Sequence, residues 1–381
     1  MMRVFMKSRN SKFSITIGLI AIFLSACNGQ LTTEPTATIS PSSTLPPTTL
    51  PTATTTATAT VTPTETTIPQ PGTLAFASCS ESKCAIYSID NDGSVLTKLT
   101  SDMVYIFNPL WSPDSTKIVF SACPTGNIQC SDGNFDIFTI SFDGSQLVNL
   151  TNNPSEDRNP DWSPDGKKIV FNSNRSGNHE IYSINADGTE LKRLTNNTRD
   201  DMDPKWSPNG SRIVYETTKN LSTGGWYYEI CVMNSDGTEQ KELIEGVSPL
   251  WAPDGTHIAF SGADDNISDI FMIEPDGTGL KNLINNPTDE FDFSWSPDSK
   301  LIAFATNRDY NAEIYILCVD CEGNQQINIT NSDTNDQKPS WSPDGTQIAF
   351  LSEDTLCVMN ADGSQKMCFD IKASGTIDWK P

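Results

Sequence analysis

Carboxylate side chains cluster just ahead of a repeated tryptophan motif, and they are the residues of this sequence best suited to bind a ligand. The segments that hold them include NNPSEDRNP at 152–160 and NNTRDDMDP at 196–204. Their acidic residues are Glu156, Asp157, Asp200, Asp201, Asp203, Asp289, Glu290, Asp292, Asp333 and Asp336. Brought together, such oxygen ligands would bind Ca²⁺ or a cationic peptide. The alternative is a solvated rim in which some of these carboxylates cap turns.

A second candidate binding segment is aromatic. The stretch ETTKNLSTGGWYYEI, at 216–230, holds Trp226, which stands outside the repeated motif, beside Tyr227 and Tyr228. Aromatic residues on a variable loop are typical of contacts with sugars or proteins. The alternative is that two of the three aromatic residues begin a strand and pack inward. The candidate ligand-binding residues are therefore Asp157, Arg158, Asp201, Asp203, Asp292, Asp336, Trp226 and Tyr227.

Recognisable catalytic motifs are absent from the sequence. Its only two histidines, His179 and His257, occupy ordinary positions of the repeat, so a histidine-based zinc site is not expected. Neither a Gly-x-Ser-x-Gly elbow nor a Gly-x-x-x-x-Gly-Lys phosphate loop occurs. Glycosidase chemistry needs only a pair of carboxylates, so a carbohydrate-active enzyme stays open as an alternative.

The elements that position these residues follow from seven regularly spaced tryptophans. They are Trp111, Trp162, Trp206, Trp251, Trp295, Trp341 and Trp379, with spacings of 51, 44, 45, 44, 46 and 38 residues. Six of them stand in a turn that matches or closely resembles Trp-Ser-Pro-Asp-Gly, which is followed by an apolar run such as KIVF, a second strand such as EIYSIN, an Asp-Gly turn and a segment such as LKRLT. Short β-branched and aromatic runs between such turns are typical of strands. A period near 45 residues with a tryptophan signature predicts a β-propeller, and we name the four strands of each unit A to D.

The ends of the repeat region predict how the ring closes. Residues 73–100 supply strands B, C and D without a strand A, whereas TIDWKP at the C-terminus supplies a lone strand A. Together they complete one blade, which removes the open edge of the ring. The predicted fold is therefore all-β: a seven-bladed propeller over 73–381, made of four-stranded antiparallel blades. The repeated turn is then the A–B hairpin of each blade, and its tryptophan is expected to pack between blades.

The motif WSPDG...IAF...IY...DG...LT resembles the propeller repeats of TolB and related WD-like repeats of bacterial envelope proteins. The resemblance covers about 310 residues and implies the fold far more than the function, since the same repeats occur in the propellers of prolyl-oligopeptidase-type peptidases. TolB has an N-terminal α/β domain and six blades, whereas this chain has a Thr/Pro-rich segment and seven predicted blades. The partners of TolB are therefore not carried over.

The N-terminal part of the sequence predicts a location outside the cytoplasm. Basic residues precede an apolar run at 13–24, which ends in Leu-Ser-Ala-Cys and resembles the lipobox of bacterial lipoproteins. We therefore expect a signal peptide at 1–26, lipidation of Cys27 and a disordered Thr/Pro-rich tether at 27–72. Four of the 25 basic and two of the 48 acidic residues precede Gly72, so the remainder carries 21 basic and 46 acidic side chains, a net charge of −25. Such a domain repels nucleic acid and anionic lipid.

The nine other cysteines are consistent with a location outside the cytoplasm, where disulfides form. Close spacing predicts four local disulfides: Cys79–Cys84, Cys123–Cys130, Cys318–Cys321 and Cys357–Cys368. Cys318 and Cys321 form a Cys-x-x-Cys pair, for which a redox or metal site is the alternative. Cys231 is left over and is expected to be a buried apolar substitute.

These observations predict a monomeric, lipid-anchored protein of the bacterial cell envelope with its propeller on the extracytoplasmic side. Its expected function is non-enzymatic binding of a protein, peptide or glycan through the face that carries the B–C and D–A loops, which vary in length and content. No cofactor is expected apart from the open question of Ca²⁺. The alternatives are a carbohydrate-active enzyme on the same face and a structural component without a specific ligand.

Overall fold

The computed structural model describes residues 72–80, 83–123, 134–221, 225–264, 267–284, 286–321 and 325–381. The predicted signal peptide, Cys27, the tether up to residue 71 and Cys130 lie outside these ranges. The described residues form strands and turns, and none of their segments is a helix long and apolar enough to cross a bilayer.

Seven four-stranded antiparallel sheets form the blades, as the tryptophan spacing predicts. Blade 1 contains β1 (Thr73–Ser80), β2 (Lys83–Asp90), β3 (Leu96–Lys98) and β28 (Ser374–Trp379). Blade 2 contains β4 (Ile106–Trp111), β5 (Lys117–Ala122), β6 (Asp136–Ser141) and β7 (Val148–Asn149). Blade 3 contains β8 (Asp157–Trp162), β9 (Lys168–Ser173), β10 (Glu180–Asn185) and β11 (Lys192–Arg193). Blade 4 contains β12 (Asp201–Trp206), β13 (Arg212–Asn220), β14 (Trp226–Asn234) and β15 (Lys241–Glu245).

The remaining blades follow the same order. Blade 5 contains β16 (Val247–Trp251), β17 (Ile258–Asp264), β18 (Ile267–Ile273) and β19 (Lys281–Asn282). Blade 6 contains β20 (Glu290–Trp295), β21 (Leu301–Thr306), β22 (Glu313–Cys318) and β23 (Gln326–Asn328). Blade 7 contains β24 (Asp336–Trp341), β25 (Gln347–Ser352), β26 (Thr355–Asn360) and β27 (Met367–Lys372). The first strand of each of blades 2 to 7 is strand A, the innermost one, and β28 takes that place in blade 1.

The ring closes as predicted, because the C-terminal strand pairs with the N-terminal one. β28 runs antiparallel to β1, with Trp379 opposite Leu74. The backbone N–H of Lys380 also donates to the carbonyl oxygen of Thr73 at 2.8 Å. Strand B of blade 1 begins, and strand A of blade 1 ends, on the face that carries the A–B and C–D turns. The chain therefore enters the propeller on the face opposite the B–C and D–A loops.

The repeated tryptophans pack between blades, as predicted. Trp162 of blade 3 shares a hydrophobic cluster with Val119 of blade 2 and with Ile169 and Phe171 of its own blade. Four of the indoles also donate a hydrogen bond from Nε1 to a strand-A carbonyl oxygen of the preceding blade; they are Trp162, Trp251, Trp295 and Trp379. These four tryptophans thus join apolar burial with a polar contact across the blade interface, whereas Nε1 of Trp111, Trp206 and Trp341 is buried without a hydrogen-bond partner among the described residues.

The Trp-Ser-Pro-Asp-Gly turn is a structural element of the hairpin. Ser163 Oγ donates to Asp165 Oδ1 at 2.7 Å and accepts from the backbone N–H of Lys168 at 2.9 Å. Gly166 has a φ of 68°, the left-handed conformation that glycine adopts without strain. The hydrogen bond from Ser163 is the largest of several that lower the pKa of Asp165. The carboxylate therefore serves the turn.

Three of the predicted disulfides are present: Cys79–Cys84, Cys318–Cys321 and Cys357–Cys368. Cys79 faces Cys84 across strands B and C of blade 1, and Cys357 faces Cys368 across strands C and D of blade 7. Cys231 is a free, buried thiol in a cluster with Trp206 and Tyr215. Burial raises the pKa of Cys231 to about 12, so the thiol stays protonated and behaves as an apolar side chain.

Candidate functional site

A bulge in every innermost strand shapes the central channel. In all seven blades the pairing between strands A and B shifts register once, ahead of the tryptophan. In blades 2 to 7 the residue three positions before the tryptophan has a positive φ of 48–56°; these residues are Asn108, Asn159, Asp203, Ser248, Asp292 and Lys338. Left-handed conformations outside glycine are uncommon and concentrate at functional sites.

The bulge decides which side chains reach the channel. In blades 2 to 7 the residues one, three and four positions before the tryptophan keep solvent exposure, whereas the tryptophan and the residue five positions before it are buried. The residues four positions before it lie nearest the B–C and D–A loop face; they are Phe107, Arg158, Met202, Val247, Phe291 and Gln337. We call this ring, together with the ring of positive-φ residues below it, the channel mouth.

Charged side chains below the mouth tie neighbouring blades together. Asp161 accepts a hydrogen bond from the backbone N–H of Trp206 at 2.7 Å, and Asp378 accepts one from Trp111 at 2.7 Å. Glu216 accepts from the backbone N–H of Ser248 in the same way. In each case a carboxylate of one blade satisfies a backbone donor of the next. Part of the acidity of the channel therefore serves the ring itself.

Burial sets the protonation of these acids. It raises the pKa of Asp161 to about 6, against the charge of Lys205 and the hydrogen bond from Trp206. It raises the pKa of Asp378 to about 7, against the hydrogen bond from Trp111. Burial, followed by the charge of Asp203, raises the pKa of Glu216 to about 8. Burial lowers the pKa of Lys205, but Asp203 and Asp161 more than offset this and raise it overall. Lys205 Nζ lies 2.8 Å from Asp203 Oδ1, which makes this ion pair a fixed feature of the channel.

A group of aromatic side chains stands beside the mouth at blades 2 and 3. Tyr105 is 47% exposed and stacks against Phe107, with 6.5 Å between the ring centroids. The guanidinium of Arg158 lies 4.0 Å from the ring centroid of Phe135 and 5.4 Å from that of Phe107. Arg158 also pairs with Glu156. This cation–π arrangement leaves a flat, partly exposed aromatic surface beside the channel.

A second aromatic group stands on blade 4. Trp226 is 53% exposed, and its ring meets Tyr228 edge to face at 5.1 Å. Tyr227 is half-buried on the opposite face of the same strand, with its hydroxyl 3.5 Å from Glu229 Oε1. The alternative expectation placed two of the three aromatic residues at the start of a strand, packed inward. In the structure all three begin strand C; Trp226 stays exposed, and Tyr227 and Tyr228 are half-buried.

Three of the candidate carboxylates lie inside the blades. Asp157, Asp201 and Asp336 stand five positions before their tryptophans and are fully buried. Both oxygens of Asp157 accept from Arg175 at 2.9 Å, Asp201 accepts from Thr217 at 2.5 Å, and Asp336 accepts from Lys366 at 3.1 Å. Because protein donors already occupy these oxygens, the three carboxylates stabilise the blade and do not form a ring at the mouth. Asp203, Asp292, Arg158 and Trp226 keep the accessible positions.

Glu290 occupies the same position in blade 6 but faces another acid. Asp269 and Glu290 are both buried and within hydrogen-bond reach of each other, and each has an oxygen without another donor, Asp269 Oδ1 and Glu290 Oε2. In blades 2, 3 and 6 a threonine hydroxyl donates to the acid that begins strand C, as Thr195 does to Glu180. In blade 5 Ile284 stands at that position, so Asp269 lacks this donor.

The described residues give no support to a metal site. No group of three or more His, Cys, Asp or Glu side chains in these ranges lies close enough to hold an ion. The candidate carboxylates also belong to four different blades: Asp157 to blade 3, Asp201 and Asp203 to blade 4, Asp292 to blade 6 and Asp336 to blade 7. We therefore do not carry Ca²⁺ into the proposed function.

A cavity of about 620 Å³ opens on the opposite face, between the turns of blades 3 and 4. The lysines of its lining are engaged within the protein. Lys168 Nζ donates to Asn185 Oδ1 and Lys192 Nζ donates to the carbonyl oxygen of Asp236, each at 2.8 Å. Turn residues such as Asp165 complete the lining, so this cavity offers no set of uncommitted polar groups to a ligand.

Comparison with known proteins agrees with this architecture. A family model described as the TolB beta propeller domain matches residues 128–224 and 211–365. An uncharacterized protein of Agrobacterium fabrum is 30% identical over 94 residues, which are 25% of this chain and 29% of that protein. The Tol-Pal system protein TolB of Syntrophus aciditrophicus is 46% identical over 39 residues, 10% of this chain and 9% of that protein. The chain thus spans less than a third of the length of these curated relatives.

Solved structures share the fold at low sequence identity. TolB from Acinetobacter baumannii is 16% identical with a TM-score of 0.50, over 81% of this chain and 83% of that one. A puromycin-hydrolyzing peptidase of Mycobacterium tuberculosis is 12% identical with a TM-score of 0.61, over 79% of this chain and 54% of that one. An oligogalacturonate lyase in complex with manganese is 13% identical with a TM-score of 0.56, over 77% of this chain and 83% of that one. Because two of these three are enzymes, the shared fold does not decide activity. The family model, which matches more than half of the residues, does decide the family: this chain belongs to the TolB β-propeller domain family.

Proposed function

We propose that the protein is a non-enzymatic binding protein of the bacterial cell envelope that recognises a polypeptide partner at the channel mouth. One observation carries this proposal: the mouth combines two solvent-accessible carboxylates, Asp292 and the Lys205-paired Asp203, with the exposed Phe107, and the exposed aromatic residues Tyr105 and Trp226 stand beside the mouth on the same face. Exposed aromatics supply contact area at interfaces, and Asp203 and Asp292 offer carboxylates to basic side chains, although Arg158 and Lys338 balance their charge within the mouth. The net charge of −25 over residues 73–381 favours a cationic partner in the same way.

The direction of the chain supports the same face. The polypeptide enters the propeller at Thr73 on the face of the A–B and C–D turns. The point of entry at Thr73 thus leaves the channel mouth unobstructed. Similarity to the Tol-Pal system protein TolB supports the envelope location. Labelling with an alkyne analogue of palmitate, expected for the wild type and lost in Cys27→Ala, tests the anchor; equal labelling of both would contradict it.

Peptide selection tests the binding function. We expect a random fifteen-residue peptide library, panned against the immobilised full chain, to yield binders enriched in Lys and Arg. The double variant Asp203→Asn/Asp292→Asn is expected to weaken their binding about tenfold, because two carboxylates at the mouth lose their charge. Asp165→Asn, on the opposite face, is the matched control and should leave affinity unchanged.

Two outcomes would contradict the proposal. A library that yields no binder, while a glycan array retains the chain, would favour a carbohydrate ligand. Binders that respond to Asp165→Asn but not to the double variant would place recognition on the opposite face.

A further inference from the structure

The hairpin of strands β13 and β14 extends beyond the rest of its blade. Both strands have nine residues, and Asn220 pairs with Trp226 at the tip. The inner neighbour β12 pairs with β13 only as far as Thr217, and the outer neighbour β15 pairs with β14 only from Glu229 onward. At about 3.3 Å per residue, the two or three unflanked residues raise the hairpin some 7–10 Å above its neighbours.

The outer edge of this hairpin is left open by an unusually short connection. Seven residues separate strand D from the next strand A between blades 1 and 2, 2 and 3, 3 and 4, 5 and 6, and 6 and 7. Between β15 and β16 there is only Gly246, whose backbone N–H donates to the carbonyl oxygen of Tyr228 at 3.0 Å. The chain therefore turns toward the channel at this point. In the described part of the chain no strand flanks Trp226 and Tyr227 on the outer side of β14.

The two faces of the overhang differ in chemistry. Trp226 and Tyr228 lie on the face that continues into the apolar cluster of Ile230 and Trp251. Tyr227 and Glu229 lie on the other face, where Lys219 of β13 is ion-paired with Glu229 at 2.7 Å. The exposed Glu245 stands directly opposite Glu229. An edge strand of this kind, with an exposed tryptophan and no lysine or proline of its own, is where a sheet accepts another strand.

We propose that an extended segment of a partner polypeptide adds to the outer edge of β14, in line with β15, with apolar residues packed on Trp226 and Tyr228 and basic residues on the alternate face, toward Glu245. Charge complementarity selects this occupant, because the second face presents the exposed carboxylate of Glu245 in an acidic domain, while the first presents aromatic rings. The proposal rests on the proposed function, since it assigns a second contact of the same polypeptide ligand class. A glycan would use the rings but not the backbone edge.

An alternating peptide tests the proposal directly. The probe is a capped heptapeptide of alternating Lys and Val, titrated into the full chain in detergent. Its analogues carry Glu in place of Lys, or N-methyl groups on one or the other set of alternate amides. We expect the Lys peptide to bind and the Glu peptide not to bind. Only one of the two N-methyl sets should abolish binding, because alternate amides of a strand point to opposite sides.

Variants place the contact on the hairpin. Trp226→Ala is expected to weaken binding of the heptapeptide at least about tenfold, as tryptophan anchors of interfaces do. Tyr310→Ala is the matched control, because Tyr310 is fully exposed on the B–C loop of blade 6 and should not affect affinity. Circular dichroism of both variants should match that of the wild type.

Each remaining outcome overturns the inference. Equal affinity of both N-methyl peptides would show attraction by charge alone, and an unaffected Trp226→Ala variant would exclude the hairpin. If the full chain forms dimers and Trp226→Ala converts them to monomers, a second copy of the chain occupies the edge. The heptapeptide could also fail to bind while peptides selected from the library still bind the mouth. That result would disprove the contact with β14 and leave the proposed function intact.

Discussion

A chain that ends at residue 373 is expected not to fold cooperatively. The missing strand β28 is the innermost strand of blade 1. Without it, β1 keeps β2 but loses its partner on the channel side, and the ring has an open edge. The deleted residues also remove the buried Ile377 and Trp379, the hydrogen bond from Trp379 Nε1 to Ser340 at 2.8 Å, and the carboxylate of Asp378 that caps Trp111.

Point variants in the same strand separate closure from chain length. Trp379→Ala is expected to lower the free energy of unfolding by about 4 kcal/mol, because it leaves a large cavity between blades 7 and 1. Thr376→Ala is the control, since Thr376 is exposed on the same strand and should change that free energy little. Urea denaturation followed by tryptophan fluorescence measures both. A truncated chain that unfolds in the same cooperative transition as the wild type would disprove the closure by β28.

The second large effect concerns the buried acid pair at the contact of blades 5 and 6. Burial, followed by the hydrogen bond with Asp269, raises the pKa of Glu290 to about 8, against the opposing charge of Arg308. The folded protein therefore holds a proton that the unfolded chain, with an ordinary Glu pKa, has released. The stability that this proton confers is complete below pH 4.5 and is lost as the pH rises through 8. The loss is on the order of 4 kcal/mol.

Glu290→Gln should remove this pH dependence. The amide donates to the orphaned oxygen of Asp269 without needing a proton, and its oxygen still accepts from Arg308, which lies 3.0 Å from Glu290. We expect the variant to be more stable than the wild type at pH 9 and similar to it at pH 5, in urea titrations across that range. Asp336→Asn is the control at the equivalent position of blade 7. It should destabilise the fold at neutral pH, because Asp336 is ion-paired with Lys366. Parallel stability profiles of Glu290→Gln and the wild type would contradict the shared proton.

The fold could be predicted because its signal repeats. Each tryptophan needs a neighbouring blade to bury its indole, so the spacing of the tryptophans counts the blades. The terminal motif around Trp379 completes the blade that begins at Thr73. Local chemistry also predicted the hairpin turns and the disulfides at Cys79–Cys84 and Cys357–Cys368, since both pairs join adjacent strands.

The candidate site was harder to predict than the fold. A shift of one residue in the register of a strand moves each side chain from the channel to the core of the blade. The acidic segments look like loops up to the proline, yet strand A begins at Asp157, Asp201 and Asp336 and takes these carboxylates into the blade. The bulge then turns Asp203 and Asp292 toward the channel. Asp161 and Asp378 were not identified as channel residues from the sequence. Each stands directly before a buried tryptophan, and because successive side chains of a strand point to opposite sides, this position predicts that they face the channel.

The polar contacts between blades, unlike the packing of the tryptophans, have no local signal in the sequence. Glu216 reaches the backbone of Ser248 in the next blade, and Asp269 meets Glu290 across 21 residues of sequence. The exposure of Trp226 depends in turn on the single-residue connection at Gly246. The sequence cannot show which of these residues meet.

Amide hydrogen exchange of the full chain, with and without the tightest peptide from the library, tests the central claim most directly. We predict slower exchange on binding at the channel mouth and the adjoining hairpin, in residues 105–108, 201–203, 226–228 and 290–292. The Trp-Ser-Pro-Asp-Gly turns on the opposite face, such as 163–166 and 342–345, should exchange at the same rate in both samples. Protection of these turns, with the mouth unchanged, would contradict the account.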